Sequence, residues 1–297
     1  MARTIIWVSL LVMSGCASSP HPWSHASVCE RELHGNVERE TWLQLLLQGF
    51  DPGTGRATSP AVDCSGTQVR WDAPAFECAD PSTASAMLPE RPLTAEDVVV
   101  EALGDETFLV WVITNRFASG DGLGPVAVAK VHGSRVTIRA IGPLRANLTR
   151  PRLRLEKVGA SEFLVAEGEQ CAGRDVASCT RAARVLPLAG TERFRPSPVT
   201  DAAGTCMSGA WVYLSREETE KLPSGWLRRY RLDATLAFGA DSVTVGEQVA
   251  IHDLDPKDGA PPRLFRRAEN DRKLVYDGIR LVADQPALWT KMMSARE

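Results

Sequence analysis

From about residue 94 onward, apolar and polar residues alternate with a period of two, the mark of half-buried β-strands. The clearest stretch lies between residues 228 and 251. Tyr230, Leu232, Ala234, Leu236 and Phe238 alternate with Arg229, Arg231, Asp233 and Thr235; after Gly239-Ala240-Asp241, Val243, Val245, Glu247, Val249 and Ile251 share one register. Further hairpins are expected wherever turn residues separate two such runs. These are 98–103 with 107–114, 126–132 with 135–141, 152–158 with 162–167, and 273–276 with 279–282 around Asp277-Gly278. The expected class is all-β, mainly antiparallel, sandwich- or propeller-like, with one N-terminal helix and short peripheral helices. Glu247 is an exception, an acid on an apolar face. Either it is a functional carboxylate with a shifted pKa, or Gly246 makes a bulge that turns it outward; glycine inside a strand favours the bulge.

Before residue 94 the pattern differs. Over 37–49, Trp42, Leu43, Leu46 and Leu47 line one helical face and Gly49 is a plausible stop. Residues 50–93 lose periodicity and are punctuated by Pro52, Pro60, Cys64, Pro74, Cys78, Pro81 and Pro89. The segment 29–93 therefore reads as loop-rich and stapled by disulfides, with helix 37–49 inside it and Trp71 plugging the core beneath. Residues 94–297 read as a β-rich domain with a candidate division near 200–206. Ser215-Arg216-Glu217-Glu218 offers a capping box for a short helix ending before Pro223. Pro286 suits the first turn of a C-terminal helix with Leu288, Trp289, Met292 and Met293 apolar.

Composition changes this picture in two ways. The 34 basic and 37 acidic residues give a formal net charge of −3, which leaves no electrostatic footprint for nucleic acid. Seven cysteines raise the question of redox compartment, and the N-terminus addresses it. Arg3 precedes an uncharged, mostly apolar run over residues 5–13. As a helix that run would span about 14 Å, too short for a bilayer core of about 30 Å, and it fits the h-region of a signal peptide. Met13-Ser14-Gly15-Cys16 follows. This resembles the lipobox of bacterial lipoproteins, with Met13 where leucine is usual.

The resemblance covers only the export segment. It implies a signal peptide over 1–15, cleavage before Cys16, and acylation of the Cys16 sulfur and amino group, palmitate included. Two or three acyl chains hold stably where one holds marginally. Ala17 in place of aspartate points to the outer rather than the inner membrane. Residues 17–28 are small, polar and proline-containing, a flexible tether. His21, His25 and Cys29 have helical spacing for a metal, but Pro20 and Pro22 oppose a helix there. With Cys16 acylated, Cys29, Cys64, Cys78, Cys171, Cys179 and Cys206 remain. An even number in an exported chain reads as three disulfides. Six cysteines allow fifteen pairings; proximity suggests Cys64–Cys78 and Cys171–Cys179, leaving Cys29–Cys206. The chain has no C-x₂-C pair, so no metal is expected at these thiols.

Candidate chemistry is sparse. His252-Asp253-Leu254-Asp255-Pro256-Lys257-Asp258-Gly259 groups carboxylates but fails the calcium-loop spacing, and reads as an exposed loop. Gly120-Asp121-Gly122-Leu123-Gly124-Pro125 leads into a β run and not a helix, so it reads as a mobile connection, not a phosphate loop. Arg145, Arg150, Arg152 and Arg154 form a basic cluster that could dock an anionic glycan, a lipid phosphate or an acidic partner; Arg152 and Arg154 should share a face opposite Leu153 and Leu155. No local nucleophile or metalloprotease motif is present, and no catalytic residue, cofactor or metal is assigned. The expected function is a non-enzymatic, lipid-anchored envelope protein, a binding or scaffolding module. Its partners would be the membrane through its acyl chains and an envelope protein or anionic glycan, with no nucleic acid. The alternatives are a periplasmic hydrolase with a site assembled from distant residues and a propeller-like adapter in an envelope assembly.

Overall fold

The computed structural model describes residues 29–32, 37–58, 60–63, 66–71, 85–171, 179–189, 193–207, 211–255 and 261–294. The signal peptide, Cys16, the tether, His21 and His25 lie outside this set. So do Cys64 and Cys78.

The chain is mostly strand. Among the described residues, β1 (Cys29–Glu32) precedes helix α1 (Arg39–Leu46) and the short hairpin β2 (Phe50–Asp51) and β3 (Arg56–Ala57). Then come β4 (Val98–Gly104), β5 (Thr107–Val112), β6 (Asn115–Arg116), β7 (Asp121–His132) and β8 (Arg135–Asn147). β9 (Thr149–Val158), β10 (Ser161–Cys171), β11 (Cys179–Ala189), β12 (Arg193–Phe194) and β13 (Val199–Thr200) follow. The chain closes with β14 (Val212–Lys221), β15 (Leu227–Phe238), β16 (Ser242–Leu254), β17 (Arg263–Tyr276), β18 (Leu281–Ala283) and helix α2 (Leu288–Ser294).

These strands form two large sheets. The first has six strands in the order β1-β8-β7-β5-β4, with β6 also on β7. The second has ten, in the order β13-β18-β17-β16-β15-β14-β11-β10-β9, with β12 also on β11. Both are antiparallel except for the parallel pair β13–β18. Large sheets replace the four-stranded blades that a propeller would show.

Strand alternation decides the layers. In β5, Val110 and Val112 face one side while Leu109 and Trp111 face the other. The first side packs under α1 through Trp42, Leu43, Leu46 and Leu47, with Val136 and Ile138 of β8. The second side meets Leu153, Leu164, Ala166, Leu186 and Leu188 of the second sheet. This inter-sheet layer makes the molecule sandwich-like, with the helix as an outer layer. The second sheet also curls on itself. Phe163 of β10 meets Tyr276 of β17 edge-on, with ring centroids 5.3 Å apart, and both join a core with Val185, Val243, Val245 and Leu274. Farther along the same concave face, α2 covers Tyr230, Leu232, Val249 and Ile251 with Leu288, Trp289 and Met292.

Three expectations are corrected. The Gly120–Pro125 segment is not a mobile connection: Asp121 to Pro125 are part of β7 and pair with Asn147 to Pro143 of β8. Residues 215–218 are strand, not helix, because β14 pairs with β15 from Ser215 to Lys221. The ladder runs through Gly246 without a bulge, Thr235 on one side and Asp271 on the other. Glu247 therefore keeps its place on the apolar face and is buried.

Candidate functional site

A well-formed cleft lies where the N-terminal segment crosses the first sheet. The β2–β3 turn is shaped by Asp51, whose carboxylate accepts hydrogen bonds from the Gly53 amide (2.9 Å) and the Thr54 hydroxyl (2.8 Å). These bonds, the Thr54 hydroxyl first, hold the Asp51 carboxyl below its ordinary pKa. Gly55 sits at φ +65°, and its carbonyl accepts the Leu93 amide at 2.8 Å. A Cβ there would lie 2.8 Å from the Leu93 carbonyl oxygen, so only glycine lets the turn dock so closely. The opposite wall comes from β7 and β8. Gly124 lies against the Val112 carbonyl, where a Cβ would overlap the oxygen, and Pro125 and Pro143 face each other across the ladder.

Between these walls is a cavity of about 540 Å³, the size of small-ligand sites. Leu47, Ala61, Val69, Leu93 and Leu123 give it an apolar floor; Arg56, Arg70, Arg91, Glu90 and Trp71 stand around it. A neighbouring cavity of about 240 Å³ shares Val69, Arg70 and Pro143 and adds Asp63, Arg193 and Arg195. The two linings together carry five arginines and two acids, in a chain whose net charge is negative.

The arginines differ in what binds them. Buried Asp97 accepts from Arg91 (2.5 Å), Arg116 (2.6 Å) and the Thr94 amide (2.9 Å), which pins the Arg91 wall. Arg193 pairs with Asp63. Arg70 donates to the neutral Gln68 side chain at 2.6 Å. Arg56 and Arg195 are exposed and make no ion pair among the described residues. Trp71 is steadied from inside. Its ring lies 5.1 Å from the Arg184 guanidinium, which is buried and sits 3.8 Å from the Trp211 ring.

The arginine cluster read from sequence is divided by the fold. Arg145 is buried, bonded to Asp121 (3.0 Å) and 4.0 Å from the centroid of Phe117, while Asn147 donates to the other Asp121 oxygen at 2.6 Å. It belongs to an interior network, apart from its three exposed or half-buried neighbours. Arg150 meets Glu169 at 3.4 Å, and Arg154 meets Glu156 (2.8 Å) and Glu167 (2.5 Å). Arg152 shares a small cavity of about 200 Å³ with Arg150, Arg181, Glu167 and Glu169, and makes no ion pair among the described residues. Acids thus answer most of this patch.

Cys171 and Cys179 are joined, as proximity suggests. Glu169 lies close to both sulfurs, but a disulfide offers no thiolate, so the group is not a metal site. Cys206 is also in a disulfide. The side chains of Cys29, Cys64 and Cys78 lie outside the described residues. The segment from residue 252 is not an exposed loop at its start, because His252, Asp253 and Leu254 are half-buried in the last part of β16, where Arg228 grips Asp253 with two bonds of 2.8 and 3.0 Å. His132 lies on the other sheet, 3.5 Å from Glu106 and exposed. Glu247 accepts the Leu288 amide at 3.0 Å and lies 3.5 Å from buried Arg272, so it caps α2.

Fold and cleft together define an all-β sandwich with an arginine-rimmed groove beside its helical layer. Comparison with known proteins found no matching family model, curated protein or solved structure. Sequence reasoning missed the groove because its arginines run from residue 56 to residue 195 with no local motif. The nearest signals were the glycines of 120–125, of which Gly124 lines the wall, and Trp71.

Proposed function

We propose that this is an exported, lipid-anchored envelope protein, placed at the outer membrane by acyl chains on Cys16, that acts as a non-enzymatic binding module. The observation that carries the binding role is the groove: small-ligand volume, an apolar floor, and rim arginines that have no acidic partner among the described residues. Its walls are pinned by Asp97 and by the close approaches at Gly55 and Gly124, so it is preorganised, which lowers the cost of binding. The lipobox resemblance and the disulfides support the address. No described helix is long and apolar enough to cross a membrane, and acyl chains supply attachment in this reading.

Two measurements test it. Cys16→Ser should abolish labelling by a palmitate analogue and release the protein from the membrane fraction; label that persists defeats the anchor. The anchored protein should retain a ligand or partner through the groove, so a bulky Ala61→Trp change that fills the floor should remove what a native pull-down recovers. Recovery unchanged by a folded variant would move binding elsewhere.

A further inference from the structure

We infer that the groove takes an acidic saccharide, a sugar bearing carboxylate or phosphate groups. The inference rests on the binding-module reading and names its ligand class. Charge is the first argument. Among the described residues, Arg56 and Arg195 are exposed without acidic partners and Arg70 is held only by the neutral Gln68, so three guanidinium groups stand around two neighbouring cavities that share Val69, Arg70 and Pro143. Guanidinium matches carboxylate and phosphate in a planar, two-bond geometry. This local excess stands in a chain of net charge −3, so it is not the by-product of a basic surface.

The second argument separates a sugar from other anions. A pyranose needs an aromatic or apolar surface for its C–H face and scattered polar groups for its hydroxyls. The groove offers Trp71 beside Val69 and Leu93, and Asn115 and Thr58 on the walls. Arg184 behind Trp71 fixes that ring. A nucleic-acid strand would need a basic track running beyond the groove, and two of the three arginines on β9, Arg150 and Arg154, are already met by Glu169, Glu156 and Glu167. An acyl chain would need a deep apolar tunnel, whereas this floor lies under a polar rim.

The test uses the full acylated protein in detergent micelles and isothermal titration with three probes: trigalacturonate, glucose 6-phosphate and neutral maltotriose. The expected result is binding of at least one anionic probe, weakened by raising salt from 50 to 500 mM, with at least tenfold weaker binding of maltotriose. The triple variant Arg56→Ser, Arg70→Ser, Arg195→Ser should lose at least tenfold in affinity and keep its melting temperature, since all three side chains are exposed. Arg152→Ser, outside the groove, should bind like the wild type. The two anionic arms distinguish a uronic acid from a sugar phosphate. Failure of both anionic probes, equal binding of maltotriose, or full affinity in the triple variant overturns the inference. If the pull-down succeeds while both anionic probes fail, the binding-module reading stands and only the ligand class falls. If saccharide binding holds while Cys16 carries no palmitate label, the anchor falls and the ligand class stands.

Discussion

At the scale of single residues, Glu247 shows how a polar group can be kept inside a sheet. Its carboxylate accepts the Leu288 amide and forms an ion pair with Arg272 at 3.5 Å, and it is 4% exposed. Burial pushes the Arg272 pKa below its ordinary value, while Glu247 and Asp284 oppose that shift. The pair is therefore interdependent. Glu247→Ala leaves a buried guanidinium without its carboxylate and should cost about 3–5 kcal/mol in urea unfolding, whereas the double change Glu247→Leu, Arg272→Met should recover most of it. Asp253 is a milder case. Arg228 holds its carboxyl below the usual carboxylate range. The pair thus stabilises the fold above the unfolded carboxyl's pKa of about 3.9 and loses its effect as pH falls through the folded value. Asp253→Asn should be less stable than the wild type by about 1 kcal/mol at pH 7, and the gap should close in acid. A third residue is strained. Asp105 and Glu106 sit at φ 49° and 57° in the β4–β5 turn, a pair of left-handed positions that suits Asp-Gly. Glu106→Gly should raise stability by about 0.5–1 kcal/mol in the same assay.

At the scale of elements, periodicity read well where both strands of a hairpin had one wet face. β15 and β16 follow the alternation from residue 228 to residue 251, and their turn is where Gly239-Ala240-Asp241 puts it. α1 and α2 also stand where their apolar stripes indicate. β11 left no clear sign because its apolar residues are consecutive: Ala182 and Leu186 face the first sheet or its edge while Ala183 and Val185 face the concave side. A strand covered on both faces has no alternation to read. Residues 215–218 failed for the opposite reason. Ser, Arg, Glu and Glu form a good helix start, and pairing with β15 overrides that local preference. Helix α2 depends on the sheet it covers. Trp289→Ala should cost about 3–5 kcal/mol, because it empties the space over Tyr230 and Ile251. Gly124→Ala tests the close approach in the groove wall: the new methyl meets the Val112 carbonyl, and a loss of at least 1–3 kcal/mol is expected by thermal unfolding.

At the scale of the whole molecule, the second sheet makes two different contacts with its two faces. One face packs on the first sheet; the other closes over Phe163 and Tyr276 at one end and is covered by α2 at the other. Removing the disulfide next to this sheet with Cys171→Ser, Cys179→Ser should cost about 2.5 kcal/mol on a loop of separation 8, read as a drop in urea midpoint absent when both proteins are reduced.

The amino-acid pattern alone determined the strand class, most hairpin turns and both helices, and by proximity it suggested the Cys171–Cys179 pairing. Each of these depends on neighbours in sequence: alternation, a turn residue, an apolar stripe, a short loop. Tertiary structure alone decided what each buried face packs against, that Glu247 has a partner in Arg272, and that Arg145 is interior while Arg152 is exposed. It also assembled the groove, whose arginines come from the β2–β3 hairpin, the segment before β4, and β12 with the residue just after it. The physical reason is that burial and charge pairing depend on distance in space, and a chain folded into two sheets brings residues together that no local spacing connects.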